Sequence, residues 1–454
     1  MENRPGARPT GTKKSQKLKR PPTIKSMHLM ALPLLVLLIK LVIMSNTPSF
    51  GWLGADGESY IGGVYGLVDQ GYFSDKPSLS YWPAGYPIII WLLTKITSTQ
   101  AIWLLFFVQS AFFSAATYYF MKQVCKTKLA SIHHLISIVL LFNPTLSLSS
   151  LVVGYESPIA SCMLIIAGLI LKSLILEEKS EILPQIIGVG FFSALATFMQ
   201  PRWILTSTII AVAWTLMQKS KKIQVFILVG VTGLMLIAPA SLIQRNIESI
   251  GKAVVSTNLG VTMQLGAGPS TSGGYQHTGA NVPCETQTHD VAPSDSQLVK
   301  CVLTWYLNNP LKLTPLIIKK SFFFWSPWSG PLSNGTSARN PWLNIAPTKA
   351  IAEGSVSGYN LVYGKMGKAI SFTWVLVLLT LLFVGFFWLK SLGALYSNFA
   401  WIVFLPILVS WVVSIGTIGD NRFRIPTMPL SLFLQVAGFY AIQKKLFKKA
   451  PIKK

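Results

Sequence analysis

The stretch MHLMALPLLVLLIKLVIM, at positions 27–44, decides the fold of this chain. The stretch contains two ionisable residues, His28 and Lys40. Because roughly 20 apolar residues in a helix cross the hydrocarbon core of a bilayer, the stretch predicts a transmembrane helix. A basic segment precedes it, and no small-residue cleavage site follows it, which favours a permanent anchor over a cleaved signal peptide.

The whole composition agrees with this start. Of the 454 residues, 51% are hydrophobic and only 12% are charged, and the mean hydropathy is +0.50. A formal net charge of +24 would indicate nucleic acid in a soluble protein. Here many of the positive charges lie in the two tails and in short connections between apolar runs, a pattern typical of cytoplasmic anchoring against anionic lipid. We therefore expect membrane lipid, and no nucleic acid, as a partner.

Further apolar runs predict an all-α polytopic integral membrane protein with about 10–11 transmembrane helices. The expected spans are 27–46, 101–121, 131–149, 155–176, 184–199, 203–217, 223–243, 369–388, 397–417 and 426–443. One more apolar piece, 84–97, is too short to cross and is expected to enter the outer leaflet partially. With the N-terminus inside, the lysines between spans then fall on the cytoplasmic side. If 84–97 crosses, the number of spans is eleven and the later charges change sides.

This topology gives a basic cytoplasmic arm (1–26), a single transmembrane domain (27–443) and a basic cytoplasmic tail (444–454). The segments 47–83 and 245–365 form outer loops. Within the second, 255–295 has a loop composition, whereas 296–326 has the pattern of juxtamembrane helices lying on the membrane surface.

Two of the four cysteines, Cys284 and Cys301, share this long outer segment. A disulfide between them is expected in an oxidising compartment, the alternative being two free thiols that happen to be close in sequence.

The chain has only 15 acidic residues, so those near the membrane are informative. Asp56 and Glu58 follow the first span on the outer side and are candidates for a general base and its partner, or for two ligands of a divalent cation. An exposed polar turn is the alternative. Glu156 starts a later span at the same side, where a carboxylate is costly unless it has a function or a partner.

Four arginines run against the bias of positive charge toward the cytoplasm. Arg202, Arg245, Arg422 and Arg424 all fall at expected outer ends of spans. A guanidinium binds phosphate oxygens through two parallel hydrogen bonds, so a lipid phosphate or diphosphate would explain these positions. Snorkelling to lipid headgroups is the alternative for any one of them. No glycine loop of the nucleotide-binding type accompanies them.

These motifs resemble those of the bacterial membrane glycosyltransferases of the C superfamily, the group that includes protein O-mannosyltransferases and the aminoarabinose transferase of lipid A. The resemblance is spread over most of the chain. It rests on Asp56-Gly57-Glu58-Ser59-Tyr60, Gly71-Tyr72-Phe73-Ser74, Tyr81-Trp82-Pro83-Ala84-Gly85-Tyr86-Pro87, Glu156, Gln200-Pro201-Arg202, Arg245-Asn246, Ser256-Thr257-Asn258-Leu259-Gly260, Gly266-Ala267-Gly268-Pro269 and Gly419-Asp420-Asn421-Arg422-Phe423-Arg424-Ile425-Pro426. Many members place two carboxylates side by side after the first span, whereas Gly57 intervenes here, which makes Asp56 a stronger candidate than Glu58.

The resemblance implies transfer of a sugar from a polyprenyl or dolichyl phosphate to an acceptor hydroxyl, on the extracytoplasmic side of the inner (plasma) membrane. Asp56 would deprotonate or orient that hydroxyl, and Glu156 would help to place the acceptor or the sugar. The residues expected to bind substrate are Tyr60, Arg202, Arg245, Arg422 and Arg424.

Several alternatives remain open at the level of sequence. The acceptor could be a glycan, a lipid or a protein, and a divalent metal ion is the one cofactor left undetermined. A flippase for a lipid-linked saccharide would use the same arginines without a carboxylate at the sugar. A polysaccharide polymerase or ligase would take a diphosphate-linked glycan as its donor.

Overall fold

The computed structural model describes residues 26–46, 56–176, 182–269, 271, 273–274, 284, 294–327 and 365–448. Within these ranges the secondary structure is helical and contains no strand. The predicted fold class, an all-α polytopic membrane protein, is confirmed. The predicted arm 1–26, apart from the first residue of a helix, and the end of the predicted tail lie outside the described residues, as does the start of the first outer loop.

The helices are numbered here in chain order. They are α1 (Ser26–Ser45), α2 (Gly57–Gln70), α3 (Ser78–Tyr81), α4 (Gly85–Thr94), α5 (Ala101–Val124), α6 (His133–Phe142), α7 (Pro144–Leu148), α8 (Glu156–Ile175), α9 (Leu183–Met199), α10 (Trp203–Leu216), α11 (Lys221–Ile250), α12 (Leu259–Leu265), α13 (Asp295–Asn308), α14 (Pro310–Trp325), α15 (Lys365–Ser391), α16 (Ala394–Gly416) and α17 (Met428–Lys448). A 3-10 segment, Asn421–Thr427, joins α16 to α17.

The described residues contain fewer full-length spans than the 10–11 predicted. Among the described residues, seven helices are long and apolar enough to cross a membrane, and the bent pair formed by Lys128–Phe142 and Pro144–Leu151 would make an eighth. The stretches predicted as spans at 184–199 and 203–217 are helical, but α9 has 17 residues and α10 has 14. At 1.5 Å per residue they measure about 25 and 21 Å, less than the roughly 30 Å of a hydrocarbon core. The predicted bounds agree with both helices, including the interruption at Gln200-Pro201-Arg202; the prediction was wrong in taking 15 or 16 apolar residues as a full span.

The short piece at 84–97 contains α4, a helix of 10 residues. It is about 15 Å long, which agrees with the expectation that it does not cross by itself. Its start packs closely on another helix end: a Cβ atom placed on Gly85 would lie 1.8 Å from the carbonyl oxygen of Phe198. Only glycine permits this approach, and it brings α4 beside the connection between α9 and α10.

A break between α6 and α7 redirects the chain toward the start of α8, where the candidate site lies. The bent pair turns by 55° at Asn143, whose side chain accepts a hydrogen bond from the Leu146 backbone at 2.9 Å. Past the bend, the Gln109 amide donates to the carbonyl oxygens of Ser150 and Val152 at 3.1 Å each. Buried backbone carbonyls need such partners where helix hydrogen bonds stop. These hydrogen bonds fix the chain beyond the bend against α5.

The outer segment expected to carry juxtamembrane helices contains α12, α13 and α14. The expected helices within 296–326 are present as α13 and α14, whereas α12 replaces part of the predicted loop at 255–295. Cys284 and Cys301 are joined by a disulfide bond, and they pack against a small apolar cluster that includes Met263, Val302 and Trp305. This cluster is separate from the main core and lies against the candidate site through α12.

Candidate functional site

Arg422 connects two carboxylates that are far away in sequence. Its Nη1 donates to Oδ2 of Asp56, and its Nε donates to Oε1 of Glu156. The three side chains are 10%, 18% and 8% exposed, respectively. Ion pairs with so little solvent contact are weakly screened, so the two carboxylates hold the guanidinium in place and it holds them.

The backbone around Arg422 is shaped by its neighbour Asp420. The Asp420 carboxylate accepts a hydrogen bond from the Arg422 backbone N–H at 3.0 Å and caps the 3-10 segment. Asp56 stands at the N-cap position of α2, and Glu156 is the first residue of α8. Three helix ends thus contribute one charged side chain each, and acidic residues near helix N-termini are electrostatically favoured.

Arg202 lies beside this triad and has no carboxylate partner among the described residues. Its Nη2 donates to the Tyr155 hydroxyl at 2.8 Å, and its guanidinium lies 4.1 Å from the ring centroid of Phe423 and 5.4 Å from that of Tyr155. A guanidinium has five N–H donors. Most of them are unused by the described residues, while the two rings fix the orientation of the plane.

Tyr155 links the two arginines. Its ring centroid is 5.4 Å from the Arg422 guanidinium as well. Burial raises the pKa of the Tyr155 phenol, and the two arginines act in the opposite direction. The phenol is a neutral hydroxyl at physiological pH, so Arg202 gains a hydrogen bond without losing its charge to a counterion.

These groups line a cavity of about 420 Å³. This volume is within the roughly 300–1,000 Å³ typical of small-molecule sites. Of the residues singled out in the sequence, Asp56, Arg202 and Arg422 line it, and Glu156 supports it through Arg422. The other lining residues are Tyr81, Trp82, Tyr155, Gln200, Pro201, Val255, Ser256, Asn258, Leu259, Thr262, Leu265, Asp295, Val413, Thr417, Ile418, Asp420 and Phe423.

The structure does not bring Arg245 to the cavity. Arg245 is 1% exposed, and its guanidinium donates to the backbone carbonyls of Tyr72, Ser74 and Leu79. The expectation that it binds substrate is therefore not supported by its position. Its hydrogen bonds fix the connection between α2 and α3 onto the end of α11, a structural task that satisfies buried carbonyls.

Arg424 and Glu58 are also away from the cavity. Arg424 donates from Nη1 to the Trp325 carbonyl at 2.8 Å and lies over the Trp325 ring. Glu58 is exposed and has no hydrogen bond or ion pair with any described residue. Residues two apart on a helix face different directions. For this reason Glu58 does not follow Asp56 into the cavity, and the expected carboxylate pair is not formed.

Tyr60 was expected to contact substrate but lies behind the cavity wall. It is 1% exposed, and among the described residues its hydroxyl has no hydrogen-bond partner. Its ring packs edge-on against Trp82, Tyr86 and Tyr155. Burial, followed by the nearby Asp56 charge, raises the pKa of the Tyr60 phenol. Its place in the structure is that of a spacer beneath Asp56.

Several cavity residues escaped the sequence analysis. Phe423 and Asn258 belong to motifs that carry the family resemblance, but neither was selected as a site residue, and Tyr155 was signalled only by its neighbour Glu156. Asp295 lies in the outer segment, where polar residues are common and nothing in the sequence marks it as a neighbour of the cavity. Asp295 differs from its surroundings because its carboxylate accepts a hydrogen bond from the Gly260 backbone at 2.6 Å, across 35 residues.

The residues do not form a ready metal site. Within the described parts of the chain, no group of three or more histidine, cysteine, aspartate or glutamate side chains is arranged to hold a metal ion. The proposed pair of ligands, Asp56 and Glu58, diverges, and one oxygen of Asp56 is already occupied by Arg422. The donor set at Asp56 therefore fits a guanidinium better than a divalent cation.

No protein-family model, no curated protein and no solved structure matches this chain. What the site can do is therefore derived from its own geometry, together with the motif resemblance noted in the sequence.

Proposed function

We propose that this protein transfers a glycosyl group from a polyprenyl-phosphate-linked sugar to an acceptor hydroxyl at the extracytoplasmic face of the membrane, as a glycosyltransferase similar to those of the C superfamily. One observation carries the proposal: the Asp56 carboxylate and the Arg202 guanidinium, 146 positions apart, line one cavity. A glycosyl transfer from a phosphate needs both groups, a base at the acceptor and a cation at the leaving group.

Asp56 is suited to accept a proton. Its Oδ2 is held by Arg422, whereas its Oδ1 accepts no hydrogen bond from a described residue. In the proposed reaction the acceptor oxygen attacks the anomeric carbon as its proton passes to Oδ1. The bond between that carbon and the phosphate oxygen breaks, and its electron pair leaves with the polyprenyl phosphate. The configuration at the anomeric carbon is inverted.

Arg202 is suited to hold the phosphate. Arg422 already faces two carboxylates, so its charge is balanced within the protein. Arg202 is the cavity guanidinium without such a counterion among the described residues. Because the leaving phosphate gains negative charge in the transition state, a fixed guanidinium stabilises that state more than the ground state.

The apolar surroundings of Arg202 fit the lipid part of the donor. Val413, Ile418 and Phe423 line the same cavity. A second, narrow crevice bounded by Trp203, Thr206 and Ser410 shares Arg202, Val413 and Phe423 with it. A phosphate that is bound at Arg202 would direct its isoprenoid chain toward this crevice, and α10 and α16 would have to separate to admit the chain.

The proposed side of the membrane follows from the lysines at the opposite helix ends. Helix α8 begins at the cavity and carries Lys172 in its last turn. Helix α11, which is long enough to cross, begins with Lys221 and Lys222, and near its other end Arg245 binds the connection between α2 and α3. Positive charge at these ends favours the cytoplasmic side for them, and the cavity then opens to the other side.

The test uses purified full-length protein in lipid nanodiscs with radiolabelled polyprenyl-phosphate sugars, and it measures release of free lipid phosphate. We expect Asp56→Asn to lower the transfer rate by about 10²–10⁴-fold, as removal of a general base does. Glu58→Gln is the matched control: it lies two residues away, is exposed, and should retain the rate within about twofold.

Equal release by the wild type and Asp56→Asn would overturn the proposal. A flippase would instead move the lipid-linked sugar between leaflets of a vesicle without releasing lipid phosphate. A polymerase or ligase would act only when the donor is a diphosphate-linked glycan. Each of these outcomes would assign the cavity to a different function.

A further inference from the structure

The cavity has two walls of different chemistry, built by different parts of the chain. The cationic wall consists of Tyr155, Arg202, Arg422 and Phe423. The polar wall consists of Trp82, Asn258, Thr262 and Asp295, and Tyr81 and Ser256 adjoin it. The proposed function assigns a role to the cationic wall only, through the phosphate. The polar wall therefore needs an explanation of its own.

The polar wall is held together by hydrogen bonds between segments. The Thr257 backbone donates to the Ser80 carbonyl at 3.0 Å, which ties the start of α12 to the end of α3. The Asp295 carboxylate accepts from the Gly260 backbone at 2.6 Å. A Cβ atom on Gly260 would lie 2.4 Å from the Asp295 carbonyl oxygen, so α12 and α13 touch through their backbones at this point. Such contacts make a fixed surface, which lowers the entropic cost of binding.

The same wall has hydrogen-bond donors and acceptors that no described residue uses. Asp295 is half-buried, and its second oxygen, Oδ2, accepts no hydrogen bond from the described residues. The Asn258 side-chain nitrogen donates to none of them, whereas its oxygen accepts from Ser256 at 3.3 Å. One strong acceptor and one double donor, beside the Trp82 ring, remain available to a ligand.

A saccharide matches this combination. Its neighbouring hydroxyls donate to a carboxylate and accept from an amide, and the C–H face of its ring packs against an aromatic ring. An alkyl chain would leave Asp295 and Asn258 unsatisfied, which costs free energy when water is displaced.

Asp56 lines the same cavity as the two walls. It begins α2, and the Tyr60 backbone N–H, one turn later, donates to its carbonyl oxygen at 3.0 Å. The Tyr60 ring is 6.2 Å from Trp82 of the polar wall and 6.3 Å from Tyr155 of the cationic wall, measured between centroids. A base placed there can reach a hydroxyl held on one wall while the phosphate is held on the other.

We propose that the polar wall is the acceptor subsite and that the acceptor is a saccharide, with Asp295 and Asn258 binding its hydroxyls and Trp82 packing against its ring. The assignment of the bound saccharide as the acceptor rests on the proposed function, but saccharide binding itself is measurable without any transfer. The sugar of the donor has the same chemistry and is the other source that the experiment must separate.

The experiment measures binding to the full chain in nanodiscs with two kinds of probe. The first is a polyprenyl monophosphate without a sugar, and the second is a panel of free mono-, di- and trisaccharides at up to millimolar concentrations. We expect Asp295→Asn to weaken saccharide binding about tenfold or more, since a charged hydrogen bond is lost, and to leave the lipid phosphate unaffected. Asparagine can still accept from Gly260, so the wall keeps its shape.

Arg202→Gln should show the reverse selectivity, with weakened lipid phosphate binding and unchanged saccharide binding. Glu248→Gln, an exposed acidic residue on α11 and outside the cavity, should change neither. Saturating polyprenyl phosphate should not compete with the saccharide. This pattern would support two separate subsites.

Four results would overturn the inference. No saccharide of the panel binds saturably, or Asp295→Asn leaves saccharide binding unchanged. Serine or threonine peptides bind in place of saccharides and depend on Asp295, or a sugar-linked donor competes with the saccharide whereas the sugar-free lipid phosphate does not. The last result would assign the polar wall to the sugar of the donor. Saccharide binding at Asp295 without release of lipid phosphate from any donor would leave this site standing and remove the proposed transfer.

Discussion

Lys320, on α14, gives a pH dependence that can be worked out from its surroundings. Its amine is buried and donates to the carbonyl oxygens of Ile415 and Thr417, at 2.9 and 2.6 Å, and lies 3.0 Å from the Tyr306 hydroxyl. These carbonyls belong to the C-terminal end of α16, where helix hydrogen bonds run out. No acidic side chain among the described residues forms an ion pair with Lys320. Burial lowers the pKa of Lys320 from 10.5 to about 7.

The sign follows from which state holds the proton more tightly. Because the unfolded chain keeps the ordinary pKa, it binds more protons than the folded chain between about pH 7 and pH 10.5. Stability therefore rises with pH through this window, by up to about 1.4 kcal/mol per pH unit and on the order of 5 kcal/mol in all. Burial raises the pKa of the neighbouring Tyr306 to about 12, so its phenol does not titrate there.

The perturbation is Lys320→Met, with Lys319→Met as the matched control on the adjacent, exposed position. Thermal unfolding in nanodiscs is measured from pH 7 to pH 9. We expect the unfolding midpoint of the wild type and of the control to rise by roughly 2–5 °C over this range. The midpoint of Lys320→Met should rise less steeply with pH than that of the wild type, and the lost hydrogen bonds lower it at every pH. Parallel curves for Lys320→Met and the wild type would refute the reasoning.

Four further predictions concern the site, the packing, the cysteines and the topology. Arg422→Met leaves Asp56 and Glu156 without their shared partner, so it should lower the free energy of unfolding by about 3–5 kcal/mol. Arg202→Met breaks no ion pair among the described residues and should lower it by about 1 kcal/mol or less. Equal losses of the two variants in chemical denaturation would contradict the ion pairs of Arg422. Gly85→Ala should reduce the yield of folded protein on size-exclusion chromatography because its Cβ meets the Phe198 carbonyl, while Gly62→Ala, with nothing within 4 Å, should behave as the wild type; a normal yield for both would show that α4 packs differently. Alkylation of denatured, unreduced protein should modify Cys125 and Cys162 alone, and reduction should expose Cys284 and Cys301, as read by mass spectrometry; four modified cysteines before reduction would exclude the disulfide. A membrane-impermeant maleimide should label Glu58→Cys but not Lys219→Cys in intact cells, and the opposite pattern would place the cavity on the cytoplasmic side.

The fold class and the outline of the site could be predicted from the sequence because both depend on the cost of removing groups from water. Long apolar runs are stable only in lipid or in a core, which makes the helices of a membrane protein a local property. Charges near such runs are expensive and rare, which makes Asp56, Glu156, Arg202 and Arg422 conspicuous in the sequence alone. Their pairing did not follow from this reasoning: Arg422 meets Asp56 across 366 residues.

Tertiary structure decided which conspicuous charges share a cavity. Arg202 and Arg245 look alike in sequence, because each lies at the end of an apolar run. Arg202 lines the cavity, whereas Arg245 donates its hydrogen bonds to the carbonyl oxygens of Tyr72, Ser74 and Leu79. Whether a guanidinium is free depends on which backbone carbonyls lack partners nearby, and that is set by where distant helices end. Asp295 shows the same limit, since its neighbour Gly260 is found only when α12 and α13 touch. The sequence by itself determined what must avoid water, whereas the packing of helix ends determined which polar groups are satisfied within the protein and which remain for a ligand.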